Sequence, residues 1–84
     1  MNLKYTSRAK SRIKKACAKN REIDKALSRK IAFILTNPGQ FKPLKYSHKG
    51  ERRVHILKSF VLTYEIKGDI VYIIDFGHHD RAYR

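Results

Sequence analysis

The sequence predicts an α+β domain: an N-terminal helical hairpin packed on a mainly antiparallel sheet of four to five strands. Two observations carry that prediction. Apolar residues recur at helical spacing through residues 8–36 and at strand spacing through 52–76, and a basic, turn-rich stretch joins the two regions. At 84 residues the chain supports one domain, 1–84, with a single modest core.

Taken in order, Asn2-Leu3-Lys4-Tyr5 reads as a short first strand, and Thr6 or Ser7 is placed to cap a helix. Over 8–19 the apolar positions Ala9, Ile13, Ala16 and Cys17 form a narrow stripe on an otherwise basic helix. A second helix is expected over 22–36, with Ile23, Leu27, Ile31, Ile34 and Leu35 on one face and Asn37-Pro38-Gly39 as its stop. The stretch 41–51 carries Lys42, Lys45, His48 and Lys49 beside Phe41, Leu44 and Tyr46, and is expected to hold a short strand and a basic loop. In 52–56, Val54 and Ile56 fall on one face and Arg53 and His55 on the other, so the core face is satisfied without the two basic residues. Arg52 shares the parity of the core residues and reads as an edge or phosphate-positioning group. The alternation continues with Phe60, Leu62, Tyr64 and Ile66 against Val61, Thr63 and Glu65, and Lys67-Gly68-Asp69 forms a hairpin turn. Residues 70–74 are almost wholly apolar, as expected of a central strand covered on much of both faces.

The charge balance narrows the partner. Twenty basic residues against seven acidic ones give a net charge of +13 and a pI near 10.3. So dense a positive charge implies a polyanion, nucleic acid first and an acidic protein next. A membrane surface fits less well, since no helix pairs a basic face with a bulky aromatic-rich one. No apolar run approaches the roughly 20 residues of a membrane span and no signal peptide is visible, so a cytoplasmic location is expected. The single Cys17 offers neither an internal disulfide nor a metal cluster, and is expected to be a small buried helix residue.

Metal-independent cleavage of RNA needs a base for the ribose 2′-hydroxyl, an acid for the leaving 5′-oxygen and cations for the developing phosphorane charge. His55 and His79 supply imidazoles that exchange protons near neutral pH. Arg53, Lys58 and Arg81 can pair with phosphate, and Tyr83 can stack on a base or donate a proton. Three adjacent antiparallel strands would gather Arg53, His55 and residues 77–83 on one sheet surface. Adjacent His78 and His79 point to opposite faces of an extended chain and are poorly placed to share a metal ion. Catalysis by a Ser-His-Asp set, a phosphate-cradling glycine loop or paired metal-binding carboxylates finds no support in the sequence.

The segments Phe41-Lys42-Pro43-Leu44, Arg52-Arg53-Val54-His55-Ile56, Tyr64-Glu65-Ile66 and Gly77-His78-His79 with Tyr83 resemble the RelE/ParE toxin superfamily of toxin–antitoxin modules, and the similarity spans nearly the whole chain. Resemblance to the RelE branch implies a ribosome-dependent endoribonuclease that cleaves mRNA in the A site by 2′-hydroxyl attack. It implies no cofactor, and an acidic RelB-like antitoxin, the ribosome and mRNA as partners. On that likeness Arg53 and His55 occupy the positions of a basic phosphate-binding pair, His79 stands where the branch usually places an arginine, and Tyr83 matches a terminal catalytic tyrosine. The histidine-bearing YafQ branch makes His55 and His79 acid–base substitutes. Lys45, Lys49, Arg52, Lys58 and Arg81 are then the RNA-binding set, with His79, Tyr83, Arg53 and His55 catalytic. One departure stands out: Val61 replaces an arginine that many RelE-like enzymes carry. The alternatives are a ParE-like inhibitor of DNA gyrase, which needs no nuclease residues, and a non-catalytic basic RNA-binding module.

Overall fold

The structure, a computed structural model, describes residues 2–37 and 50–79. Lys45, Lys49, Arg81 and Tyr83, and the short strand expected within 41–51, lie outside the described residues. The elements run β1 (Asn2–Tyr5), α1 (Ser7–Lys19), α2 (Arg21–Thr36), β2 (Arg52–Ile56), β3 (Phe60–Lys67) and β4 (Ile70–His78). The strands form one sheet in the order β1-β4-β3-β2, antiparallel except for the parallel β1–β4 pair.

Single polar side chains set the helix boundaries. The Thr6 hydroxyl accepts the Ala9 N–H at 3.1 Å and donates to the Ile74 carbonyl at 2.6 Å, so one residue both caps α1 and ties it to β4. Thr6→Ala is therefore expected to cost about 1–2 kcal/mol in urea denaturation, whereas Thr6→Ser should retain most of the wild-type stability. Equal losses in both variants would place the contribution in the methyl group instead of the hydroxyl. Asn20 ends one helix and starts the next. Its backbone N–H donates to the Ala16 carbonyl and its side-chain Oδ1 accepts the Glu22 N–H, while its extended backbone (φ −149°, ψ 113°) breaks the helical path. Glu22 and Asp24 in the first turn of α2 suit the positive end of the helix dipole.

The hairpin lays Ala9, Ile23, Leu27 and Ile34 against the sheet, where Val54, Ile56, Leu62, Tyr64, Val71, Ile73 and Phe76 complete the core. A bulge interrupts the β3–β4 ladder. Thr63 pairs with Asp75 but Tyr64 pairs with Ile73, so Ile74 is an extra residue on β4. The insertion reverses the alternation, and Val71, Ile73 and Phe76 all reach the core despite their uneven spacing. Burial on β3 goes further than the alternation alone indicates: Val61, Thr63 and Glu65 are buried along with Leu62 and Tyr64, so this strand is enclosed on both faces. On β4, Tyr72 and Ile74 are only half-buried. The expected doubly covered character thus falls most fully on β3.

The three-residue turn from β2 to β3 holds Leu57 at φ 56°, in the left-handed region that disfavours a side chain by roughly 1–2 kcal/mol. Leu57 is also 48% exposed. The turn brings the Ser59 carbonyl to 2.7 Å from the His79 N–H, which donates to it. Backbone at the end of β4 is thereby fixed against the β2–β3 hairpin.

Candidate active site

Across the sheet, His55 on β2 sits opposite Val61 on β3, which in turn sits opposite Gly77 on β4. His79 follows just beyond that row. Its backbone is held by Ser59, and its ring stacks on His55 with centroids 5.4 Å apart and planes 25° from parallel. Among the described residues, a Cβ on Gly77 would meet nothing within 4 Å. Both histidines are exposed. Arg53 lies two residues from His55 on the same side of β2, opposite Thr63, and is half-buried. Lys58 is exposed in the turn that holds His79.

Other expected site residues are placed elsewhere. Arg52 falls on the helix side of β2, paired across the ladder with Tyr64. Burial pushes the Tyr64 phenol above its usual range, and the nearby Arg52 charge opposes that shift. His78 also lies on the helix side, where its ring is 4.6 Å from that of Phe60. His78 and His79 therefore diverge around the end of β4.

Two features of the site have no sequence signature. One is the Ser59 carbonyl, whose role depends on the backbone of the Leu57 turn. The other is the ion pair between Arg12 Nη1 of α1 and Asp75 Oδ1, at 2.7 Å, which fastens the basic helix to β4 next to the bulge. Asp75 Oδ1 also accepts the Phe76 N–H at 2.8 Å. A lone carboxylate after an apolar run was the available hint, but α1 offers several cations and the spacing does not single out Arg12.

A pair of exposed imidazoles with Arg53 on the same sheet face and Lys58 in the adjoining turn is chemistry suited to a phosphodiester, with one imidazole able to take a proton while its neighbour gives one. Solved structures with the same architecture include several toxins. The structure matches a YoeB/ParE toxin from Agrobacterium tumefaciens with a TM-score of 0.83, at 18% identity, over 94% of this chain and 99% of that one. It matches the DinJ–YafQ toxin–antitoxin complex of E. coli with a TM-score of 0.77, at 19% identity, over 99% of this chain and 98% of that one. These likenesses establish the RelE/ParE fold. Sequence establishes the family: residues 3–83 match the model of the ParE toxin of type II toxin–antitoxin systems, and the chain belongs to that family, within the RelE/ParE superfamily. Among relatives, a putative toxin RelE4 of Methanocaldococcus jannaschii is 39% identical over 62 residues, covering 71% of this chain and 66% of that protein. An uncharacterized protein of Methanosarcina mazei is 36% identical over 83 residues, 96% of each chain. No helix among the described residues is long and apolar enough to cross a membrane.

Proposed function

We propose that this toxin is a metal-independent endoribonuclease that cleaves mRNA in the ribosomal A site. The observation that carries the reading is the stacked His55–His79 pair on the sheet face that also bears Arg53. One imidazole removes the proton of a ribose 2′-hydroxyl as its oxygen attacks the adjacent phosphorus. The other protonates the departing 5′-oxygen, leaving a 2′,3′-cyclic phosphate and a free 5′-hydroxyl. Arg53, with Lys58 and Arg81, offsets the charge that builds on the phosphorane oxygens, and Tyr83 stacks on a base or donates a proton. Lys45 and Lys49 contribute phosphate contacts, whereas Arg52, on the helix side of β2, is left out of the scheme. No cofactor enters this scheme. An acidic antitoxin neutralises the positive surface, by analogy with the DinJ–YafQ complex, and the toxin acts in the cytoplasm.

The ribosome's part follows from the missing arginine. With Val61 at that position, fewer charges stabilise the transition state, and fixed substrate geometry in the A site supplies part of the barrier reduction. Naked RNA should therefore be cut slowly and ribosome-bound mRNA quickly. Mapping mRNA 5′ ends after brief expression, alongside plasmid supercoiling, tests the proposal: new ends within coding regions and unchanged supercoiling are expected. The family model itself favours a second reading, since it is that of ParE toxins. Intact mRNA with gyrase-dependent loss of supercoiling would select this reading, in which the basic face binds without catalysis.

A further inference from the structure

Behind the histidine pair, on the helix side of the same end of the sheet, a cavity of about 320 Å³ opens between α1 and the end of β4. Its aromatic side is ordered. Phe60 and Phe76 stack with centroids 5.4 Å apart and planes within 7° of parallel, and His78 lies tilted against Phe60 at 4.6 Å. Phe76 is buried, Phe60 is half-buried and His78 is exposed, so the ring series runs from the core out to the lip. The opposite wall is cationic. Arg12, Lys15 and Lys19 line it from one face of α1, with Arg12 held by Asp75. Lys15 and Lys19 are exposed and make no ion pair among the described residues, and no described acidic residue lines the cavity.

A flat aromatic surface faced by two available ammonium groups suits a planar ring that carries a phosphate. The size agrees: a helix, roughly 10–12 Å across with its side chains, cannot enter a space of about 320 Å³, whereas a single base can. Position points to the same ligand. His78 follows Gly77 and precedes His79, so the cavity and the histidine pair are two sides of one strand end, and an RNA strand crossing that end meets both.

We infer that this cavity is a base-binding subsite for single-stranded RNA. It takes the base of a nucleotide flanking the cleaved phosphodiester, stacked on His78 and Phe60, with a phosphate held by Lys15 and Lys19. The inference rests on the RNA-cleaving reading for its ligand, and its test uses RNA that cannot be cleaved. Stacking accepts any base, so the subsite adds affinity and strand direction with little sequence preference.

The test is fluorescence anisotropy of the full chain with a short 2′-O-methyl RNA, which lacks the attacking hydroxyl, across a salt series. His78→Ala should weaken binding roughly 5- to 150-fold, the range for losing one stacked base, and His78→Phe should restore it. Lys15→Gln/Lys19→Gln should flatten the slope of log affinity against log salt by about 0.7, the contribution of one lost phosphate contact. Circular dichroism checks that each variant is folded. Cavity-dependent binding of this RNA supports the subsite even where ribosomal cleavage fails. Unchanged affinity and slope in folded variants overturn it, as does a His78→Phe variant no better than His78→Ala. Retained RNA binding with lost affinity for a polyglutamate peptide would assign the cavity to an acidic protein partner and overturn it as well.

Discussion

His79→Ala should lower the single-turnover rate of mRNA cleavage on ribosomes by roughly 10²- to 10⁴-fold, the usual contribution of a general acid or base, with ribosome affinity little changed. His78→Ala should leave that rate, measured with saturating toxin, within about threefold of wild type. The contrast comes from the backbone. His79 is fixed by the Ser59 carbonyl and stacks on His55 on the face of the sheet away from the helices, while His78 is turned against Phe60 on the helix side. His55→Ala should be as damaging as His79→Ala, because proton removal and proton delivery are separate tasks of one reaction. The pH–rate profile should also lose one limb in each of those variants. Folding of each variant is checked by circular dichroism. Equal rates in folded His78→Ala and His79→Ala variants would refute the division of roles, and undiminished rates in both would leave Arg53, Arg81 and Tyr83 as the candidates.

How much of this site could be read from the chain depended on which residues obey simple alternation. Arg53 and His55 could be placed on the outer face from their neighbours alone, because Val54 and Ile56 fix the parity of β2 and nothing interrupts it. His79 could not. Counting alternate residues onward from buried Val71 and Ile73 puts residue 79 on the helix side, and only the extra residue at Ile74 reverses this and sends it toward His55. The adjacency of three antiparallel strands predicts residues 77–83 at the surface of Arg53 and His55, but not the direction of the His79 side chain within that segment. A similar limit applied to the helices: their apolar stripes were visible, but the junction at Asn20 serves both helix ends, and α2 begins at Arg21, one residue before its expected start. The covering of Val61, Thr63 and Glu65 had no local signal, because burial of a second sheet face is a tertiary property. Leu57 was least legible, since a left-handed leucine runs against every local preference and is held by the hairpin around it.

Val61 is the position where family likeness and burial make opposite predictions. Family resemblance invites the view that Val61→Arg would restore a missing transition-state cation and accelerate cleavage. The structure argues for the reverse. Val61 is 1% exposed, flanked by His55 on one strand and Gly77 on the other, and it packs in a strand enclosed on both faces. A guanidinium there would lose its hydration between cross-strand neighbours that carry no carboxylate, and it would stand beside His55 and near Arg53, both from the proposed site. An uncompensated buried charge costs about 3–5 kcal/mol, a large part of the roughly 5–15 kcal/mol that stabilises a typical domain. Val61→Arg should therefore lower the urea midpoint sharply and give no faster cleavage, while Val61→Leu, which adds volume without charge, should lose less than about half as much. Retained stability together with faster cleavage in Val61→Arg would mean that the side chain reaches solvent and that the buried valine is a simple loss of a catalytic cation. Destabilisation with slower cleavage would mean that this toxin has rebuilt the site around its two histidines, with an apolar strand beneath them.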